Sequence, residues 1–392
     1  MNPNAEFDLI VYGASGYTGR LVAEHLARTY GIGGEVKWAM AGRSLDKLAA
    51  VRDEIGAPKE TPLVQADADD PASLKAMAGR AKAIITTVGP YQLYGEPLVA
   101  ACAEAGTDYL DLCGEPAWMR QMIDAYDAKA RASGARIVFS CGFDSIPFEL
   151  GVIFLQETAK AKLGAYVPRA KGRVRRMQGG FSGGTAASLK ATMAAAAKNP
   201  EIIKLLTNPF ALTPGFQGPE QPAGMAPELD ADLGVWCAPF VMAPINTRNV
   251  HRANALLGHA WGEGFVYDEM MMTGPGDQGE QTAKAVAQMG SGLGGEGGPK
   301  PGEGPTKEER ENGFFDVLFV GKAADGRQVR VAVGGDKDPG YGCTSKMISE
   351  AGICLVQEAA DTRGGVWTPG AAMGERLIRR LEAKAGMTFT VE

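Results

Sequence analysis

The segment most informative about the fold is Gly13-Ala14-Ser15-Gly16-Tyr17-Thr18-Gly19, which begins at the last residue of the apolar run FDLIVYG at 7–13 and precedes apolar residues at helical spacing. In such a strand–turn–helix unit, the first glycine permits a tight turn and the second lets backbone amides approach a pyrophosphate. The third lets the helix pack closely on the strand. The helix N-terminus adds unpaired N–H groups and the positive end of a dipole. The pattern therefore predicts that these seven residues bind dinucleotide phosphates; a purely structural turn is the alternative.

The first 150 residues alternate short apolar runs with helical patterns. Further strands are predicted at 35–42, 62–70, 81–89, 107–112 and 135–142, with helices between them. Because these runs are nearly continuously apolar, they indicate a parallel sheet that is covered on both faces. We therefore predict an α/β fold whose N-terminal domain, residues 1–150, is a Rossmann-type doubly wound parallel sheet.

The periodicity changes after residue 150. Residues 151–340 are predicted to form an α+β substrate domain with an antiparallel sheet, in which Asp325-Gly326 marks a hairpin turn. Within it, residues 274–312 are rich in Gly, Pro and Glu, which predicts a mobile loop or a flap. Residues 341–392 are predicted to be a C-terminal helical segment that packs back on the Rossmann domain.

The composition excludes several classes of function. With 46 acidic and 40 basic residues, the formal net charge of −6 gives no electrostatic footprint for nucleic acid. Six scattered cysteines without a CxxC pair, and only three histidines, argue against a structural metal site. No uncharged stretch reaches the ~18–20 apolar residues of a membrane span, and the first residues lack a signal-peptide pattern. We predict a cytoplasmic protein, for which association with a membrane surface stays open.

The residues after the second and third predicted strands bear on cofactor choice. Arg43 and Ser44 stand where an NAD-specific site would place an acidic residue for the ribose hydroxyl. A cation there suits a 2′-phosphate, so NADP is the predicted cofactor, with Ser44 and Lys47 as helpers; a solvated arginine is the alternative. Asp67, after the third strand, either lies at the adenine edge or caps a helix.

Three loops at the carboxyl ends of strands are predicted to surround the reacting end of the cofactor. Of their residues we assign Val88, Gly89, Pro90 and Cys141 to cofactor binding. Tyr91 can polarise a carbonyl or deliver a proton, with Asp144 behind it, so both are predicted catalytic residues. Asp144 alternatively caps the helix that begins near Pro147.

A further pattern lies at 336–346, where two glycines surround Tyr341 before a predicted helix. This segment either binds an anion or covers the cofactor, or it forms an ordinary hairpin-to-helix turn.

Seven segments together resemble the saccharopine dehydrogenase-like family and, more closely, its trans-acting enoyl reductase branch. They are GASGYTG, AGRS, TTVGPYQLYGEPLVAAC, YLDLCGE, CGFDSIPFELG, DPGYGCTSKM and GGVWTPGAAMG. The resemblance is dense over 8–155 and 318–382 and weak over 199–227 and 274–304. It implies a Rossmann NADP-binding domain, an inserted substrate domain and oxidoreductase chemistry, with Gly13, Gly16, Gly19 and Arg43 as the matched cofactor positions.

The enoyl reductase branch implies reduction of a carbon–carbon double bond in a lipid or polyketide intermediate of glycolipid synthesis, often near a membrane. We therefore predict an NADPH-dependent enoyl reductase. Two alternatives stay open: a saccharopine-type amino-acid dehydrogenase, and a non-catalytic NADP-binding sensor or membrane adaptor. The expected partners are a small-molecule or lipid substrate, the inner face of the plasma membrane and a second copy of the chain.

Overall fold

The structure is a computed structural model that describes residues 5–180, 182–289 and 302–392. Within these residues the strands are β1 (Phe7–Tyr12), β2 (Trp38–Gly42), β3 (Leu63–Gln65), β4 (Ala81–Thr86), β5 (Asp108–Leu110), β6 (Arg136–Val138), β7 (Arg169–Gln178), β8 (Glu228–Asp230), β9 (Val235–Pro239), β10 (Val266–Gly274), β11 (Phe314–Lys322), β12 (Gln328–Gly335), β13 (Gly365–Trp367) and β14 (Met387–Val391).

The helices in the same part of the chain are α1 (Tyr17–Tyr30), α2 (Leu45–Glu54), α3 (Pro71–Ala78), α4 (Tyr91–Tyr94), α5 (Glu96–Ala105), α6 (Pro116–Ser133), α7 (Ile146–Leu163), α8 (Gly183–Lys198), α9 (Pro200–Thr207), α10 (Ala243–Leu256), α11 (Gly276–Met289), α12 (Lys307–Asn312), α13 (Thr344–Gln357) and α14 (Pro369–Lys384). A π-helical turn, Pro339–Cys343, leads directly into α13.

The first sheet has the strand order β3-β2-β1-β4-β5-β6-β13, and every pair in it is parallel. Side chains of β1 alternate between its two faces: Leu9 and Val11 enter one buried cluster, while Ile10 and Tyr12 enter the other. Burial of both faces explains why this run is continuously apolar. The predicted doubly wound parallel sheet is confirmed.

The second sheet has the order β14-β12-β11-β7-β10-β9-β8. The prediction of an antiparallel sheet needs one correction, because β7 and β10 pair in parallel and the sheet is mixed. A parallel pair needs a long connection between its strands, and the chain between β7 and β10 supplies it with three helices. The predicted hairpin is confirmed, since β11 and β12 pair in antiparallel across the turn that contains Gly326.

Three helices connect the two halves of the molecule: α7 packs on strands of the second sheet, α13 packs on α1, β1 and β4, and α14 packs on both α7 and α13. Gly151 of α7 lies so close to Phe319 of β11 that an added Cβ would come within 2.3 Å of the ring. Gly352 of α13 makes a similar close approach to Ile85 of β4, at 2.9 Å. One buried cluster therefore runs from the first sheet through these helices to the second. The boundary predicted at residue 150 falls inside α7.

The segment predicted to be a loop, 274–312, contains two helices, α11 and α12, and this part of the prediction is wrong. Residues 276–289 carry helix-forming side chains and no proline, and α11 buries Ala283 while packing against β9. The strongest Gly/Pro bias falls on 290–301, which lies outside the described residues.

The C-terminal part of the chain returns to both sheets. Helix α13 packs on α1, β1 and β4 of the Rossmann half, while α14 packs on α13 and α7. The last two strands were not predicted: β13 pairs with β6 at one edge of the first sheet, and β14 pairs with β12 at one edge of the second.

Candidate functional site at the carboxyl edge of the parallel sheet

The glycine-rich loop has the backbone geometry that its sequence predicts. Gly13 has a φ of 88°, and an added Cβ would lie 2.8 Å from both Thr87 and Val88. A Cβ on Gly19 would come within 2.2 Å of the Gly13 carbonyl oxygen. Glycine is therefore required at both positions, and the turn from β1 into α1 is closed to larger residues.

The N-terminus of α1 is open to an anion. Gly16 is its N-cap, no side chain caps it, and its first turn carries no acidic residue. Ser15 and Gly16 are exposed, and Tyr17 and Thr18 are half-buried, so their backbones line the open end of the turn. Uncapped N–H groups together with the helix dipole suit a pyrophosphate. Ala14 is fully buried, and its N–H donates to the Ala41 carbonyl. It therefore supports the loop and presents no surface to a ligand.

Arg43 is exposed at the end of β2, and its guanidinium forms no ion pair with any described carboxylate. Ser44 is the N-cap of α2 and accepts the Lys47 N–H at 3.3 Å, which leaves its hydroxyl hydrogen free to be donated. A cation without a partner, at the strand next to the glycine-rich loop, fits a 2′-phosphate.

Asp67 follows β3 at the same edge and is half-buried. Its carboxylate accepts the Asp69 N–H at 3.2 Å, whereas the cap of α3 is Asp70, which accepts the N–H groups of Ala72 and Ser73. The capping alternative is therefore wrong for Asp67. Asp67 and Arg43 both lie near Tyr12, since burial, reinforced by Asp67 and opposed by Arg43, raises the pKa of Tyr12 to about 12. The position of Asp67 at the adenine edge stays a prediction.

The loop after β4 carries Val88, Gly89 and Pro90 to the surface of the cleft. Val88 and Pro90 are half-buried and Gly89 is exposed, and the Gly89–Pro90 peptide bond is cis. Since Val88 touches the position that a Cβ on Gly13 would occupy, this loop lies directly beside the glycine-rich turn. It stays our prediction for one wall of the cofactor site.

Tyr91, the first residue of α4, is buried with its hydroxyl engaged by the backbone. The hydroxyl donates to the Thr86 carbonyl at 3.2 Å and accepts the Leu112 N–H at 3.1 Å. Burial raises the pKa of this phenol well above its ordinary value. These contacts favour a structural role that ties the ends of β4 and β5 together, and they argue against the predicted role as proton donor.

Two further carboxylates near the site are also occupied by the fold. Glu115 accepts the N–H groups of Tyr91 and Gln92 at 3.0 and 2.8 Å and the Ser188 hydroxyl at 2.9 Å. Asp111 accepts the Cys113 and Ser140 N–H groups and the Tyr109 hydroxyl, all within 3.0 Å. They hold the strand-end loops in place.

Cys141 is corrected from a cofactor contact to a packing residue. Its side chain is fully buried, and its thiol points at the carbonyls of Val138 and Phe139 beneath the loop. Burial raises the pKa of this thiol well above its ordinary value. It is one of the small buried groups on which the loop after β6 rests.

Asp144, unlike Glu115 and Asp111, has a carboxylate that accepts no hydrogen bond from any other described residue. It is half-buried at the end of the loop after β6, and burial raises its pKa from 3.8 to about 7. The N-cap of α7 is Ser145, so Asp144 does not cap that helix. Its Oδ2 lies so near Gly114 that an added Cβ would stand 3.1 Å away, which places the carboxyl against the loop after β5.

Tyr341 belongs to the same edge of the molecule, although it comes from the π-helical turn before α13. Its hydroxyl accepts the Ser182 N–H at 2.6 Å and lies 2.9 Å from the Thr185 hydroxyl. Its ring meets that of Tyr17 edge-on, with the centroids 5.1 Å apart. Tyr341 therefore packs on the first residue of α1, and the roles in anion binding or in covering the cofactor stay predictions.

Sequence reasoning missed the contacts of Tyr17 with residues 304–310. The Tyr17 hydroxyl donates to the Pro305 carbonyl and accepts from Arg310 Nη1 at 3.0 Å. These partners are separated by almost 300 positions, and no local pattern signals the pairing.

The arrangement defines a class of protein: an oxidoreductase that binds a dinucleotide on a Rossmann sheet and closes the site with a second domain. A family model described as the NADP-binding domain of saccharopine dehydrogenase matches residues 9–138. The chain belongs to the saccharopine dehydrogenase-like family, in the branch of trans-acting enoyl reductases. Its N-terminal domain is an NADP-binding domain, and the geometry of the glycine-rich loop and Arg43 fits that cofactor.

Similar proteins and structures cover nearly the whole chain. A Mycobacterium tuberculosis protein named as a candidate trans-acting enoyl reductase is 41% identical, over 98% of this chain and 97% of that protein. A trans-acting enoyl reductase of Mycobacterium bovis is 38% identical, over 96% of each chain. Apo saccharopine dehydrogenase (L-Glu forming) from Saccharomyces cerevisiae shares the fold, with a TM-score of 0.56 and 12% identity over 98% of this chain and 100% of that one.

Across the described residues, no helix combines the length and apolar content needed to cross a bilayer.

Proposed function

We propose that this protein is an NADPH-dependent enoyl reductase that saturates the carbon–carbon double bond of an α,β-unsaturated acyl lipid or polyketide intermediate. Its full-length similarity to proteins with that name supports the reaction class. The observation that carries the proposal is Asp144: a half-buried carboxyl with a pKa of about 7, at the sheet edge that binds the cofactor. Such a group can donate a proton near neutral pH.

When bound, NADPH would supply the hydride that the β-carbon of the substrate receives. The chain's part is to hold the pyrophosphate at the N-terminus of α1 and the 2′-phosphate at Arg43, which fixes the position of the reacting end. Asp144, in its protonated form, then gives its proton to the α-carbon. Hydride and proton together make two C–H bonds and break the carbon–carbon π bond.

Asp144 takes over the role that the sequence assigned first to Tyr91. Tyr91 orients the loops after β4 and β5 through its two backbone hydrogen bonds. Tyr341 stands near Asp144, and burial, with a smaller contribution from the charge of Asp144, raises the pKa of the phenol. A neutral tyrosine hydroxyl there can hydrogen-bond a substrate carbonyl when it releases Thr185.

The location and wider role of the protein belong to the same proposal. All six cysteines are free and buried, in keeping with a reducing cytoplasm. The substrate would be an intermediate of lipid or glycolipid synthesis, met in solution or at the inner face of the plasma membrane.

The test of the reaction is transfer of deuterium from labelled NADPH to an α,β-unsaturated acyl thioester. We expect a saturated product that carries one deuterium at the β-carbon, detected by mass spectrometry. Oxidation of NADPH only in the presence of an imine would support an amino-acid dehydrogenase instead. Cofactor binding without turnover of either substrate would support a sensor.

The cofactor site is tested separately by calorimetric titration with NADPH and NADH. Replacement of Arg43 by alanine should weaken NADPH binding about tenfold or more, because a charge-assisted contact to the 2′-phosphate is lost, while NADH binding stays unchanged. Arg52→Ala is the matched control, since Arg52 is held by Asp53 on the same helix. Equal losses for both nucleotides would contradict the assignment of Arg43.

A further inference from the structure

A segment of the second domain lies against the start of α1. Gly304 packs on the Tyr17 ring so closely that an added Cβ would be 2.6 Å from Cε1. The carbonyl of the next residue, Pro305, accepts the Tyr17 hydroxyl. Pro305 is itself buried and packs on Gly180, where an added Cβ would lie 3.0 Å from Pro305 Cγ. Tyr17 is therefore the point where the two domains meet at the glycine-rich loop.

Arg310, four residues after Thr306 at the start of α12, brings a positive charge to this contact. Its Nη1 donates to the Tyr17 hydroxyl at 3.0 Å and to the Pro305 carbonyl at 2.7 Å. Its guanidinium carbon lies 5.7 Å from the centre of the Tyr17 ring. The side chain is half-buried, and within the described residues it forms no ion pair and no hydrogen bond through Nη2 or Nε.

The fold holds Arg310 in this place from several sides. A capping box between Thr306 and Glu309 starts α12. The Arg310 carbonyl accepts the Asp338 N–H at 3.0 Å, and Gly313 packs on the Asp338 backbone, where an added Cβ would come within 2.3 Å. The Asp338 carboxylate is occupied by the N–H groups of Tyr341 and Gly342, so it does not neutralise the guanidinium by direct contact.

We propose that Arg310 is a second-domain ligand to the pyrophosphate of NADP. Tyr17 is the first residue of the helix whose N-terminus faces the phosphates. The Arg310 guanidinium beside it has N–H groups, at Nη2 and Nε, that bind no other described residue. Arginine suits this role because its planar fork can hydrogen-bond two phosphate oxygens at once. The inference rests on the NADP-binding part of the proposed function. It makes the second domain part of the cofactor site, so that bound NADP links the two domains.

The test compares three ligands by calorimetry: NADPH, 2′-phospho-ADP-ribose, which keeps the pyrophosphate, and 2′-AMP, which lacks it. Arg310→Gln should weaken the first two by the same factor, about tenfold or more, and leave 2′-AMP unchanged. Arg43→Ala should weaken all three. Lys307→Gln is the matched control on the same helix, since Lys307 is exposed and faces Glu311, and it should bind all three ligands like the unaltered protein.

Each other outcome is informative. If Arg310→Gln binds both pyrophosphate ligands as tightly as the unaltered protein, the assignment of Arg310 is overturned while the cofactor site stands. If Arg310→Gln weakens the binding of 2′-AMP by the same factor as that of the other two ligands, Arg310 acts through the fold and the assignment is again overturned. In that case Arg310→Lys, which keeps the positive charge, should recover none of the lost affinity. If the unaltered protein does not bind NADPH, the proposed function fails as well.

Discussion

Asp144 differs from the neighbouring carboxylates in what surrounds it. Asp111 and Glu115 each accept three hydrogen bonds from the fold, whereas the carboxylate of Asp144 accepts none from any other described residue. Burial raises the pKa of Asp144 to about 7, as it does for Asp111, but the carboxylate oxygens of Asp144 are not bound by neighbouring donors in the described part of the chain. A strand-end carboxyl of this kind is available for proton transfer.

Replacement of Asp144 by asparagine should lower turnover roughly 100-fold or more, since a positioned general acid contributes at least that much. In the unaltered protein, turnover should fall as the pH rises through about 7, because the acid form of Asp144 is lost. Steady-state rates across this range check both statements. NADPH binding should be unchanged in the variant, and a variant with full turnover and the same pH profile would exclude Asp144 as the donor.

Replacement of Tyr91 by phenylalanine should leave turnover nearly intact and reduce the free energy of unfolding by about 1–3 kcal/mol. The reason is that the half-buried Leu112 N–H and the buried Thr86 carbonyl each lose a partner. Denaturant unfolding and a rate measurement on the same sample make the comparison. A large loss of turnover with unchanged stability would restore Tyr91 as a catalytic residue.

At the level of elements, the turn from β1 into α1 depends on close backbone contact. Gly19→Ala would force a Cβ to within 2.2 Å of the Gly13 carbonyl oxygen, so the helix must move away from the strand. We expect NADPH binding to be lost, as measured by titration. Gly79→Ala is the control: Gly79 ends α3 with a φ of −64°, and an added Cβ meets nothing nearer than 3.6 Å. Unchanged binding by the Gly19 variant would contradict this account of the turn.

Elements that are defined by local pattern could be predicted from the sequence. The strand at β1 and the helix α1 follow from apolar spacing and from the glycine-rich turn, in which Gly13 and Gly19 leave no room for a side chain. The hairpin at Gly326 likewise follows from its turn residues. The same reasoning failed for α11, where the glycine content of the surrounding segment outweighed the helical side chains within it.

Elements that depend on distant partners could not be predicted. The arginine-rich strand β7 lies in the middle of the second sheet. Arg173 is 1% exposed there and pairs with Asp230 and Asp268, at 2.9 and 2.7 Å. No residue pattern near Arg173 in the sequence predicts that these two carboxylates lie beside it. For the same reason the hydrogen-bond partners of the Tyr91 hydroxyl could not be predicted, because they meet it only when β4 and β5 are adjacent.

Buried carboxyls make the stability of the protein as a whole depend on pH. Burial raises the pKa values of Asp111, Asp144 and Glu149 to about 7 in the folded protein, against about 4 for unfolded carboxyls. Between these values the folded state binds more protons than the unfolded state, so stability decreases as the pH rises through this window. Carboxyls with lowered pKa values, such as Asp232 at about 2, act in the opposite sense and lose their contribution only in stronger acid.

Thermal unfolding should therefore show a melting temperature that falls as the pH rises from about 5 to about 7. Glu149→Gln should make this dependence shallower, because it removes one of the three groups. Glu375→Gln, on the exposed face of α14, is the control and should leave the slope unchanged. A melting temperature that increases over the same range would show that these carboxyls are ionised in the folded protein well below neutrality.

The positions of β13 and β14 affect the order in which the two sheets can be completed during synthesis. Each sheet takes an edge strand from the last 28 residues of the chain: β13 begins at Gly365, and β14 ends at Val391. Both strands come after every other strand of their sheets in chain order. Neither sheet can be completed until these residues have been synthesised, so completion of both sheets depends on the same late segment, residues 365–391.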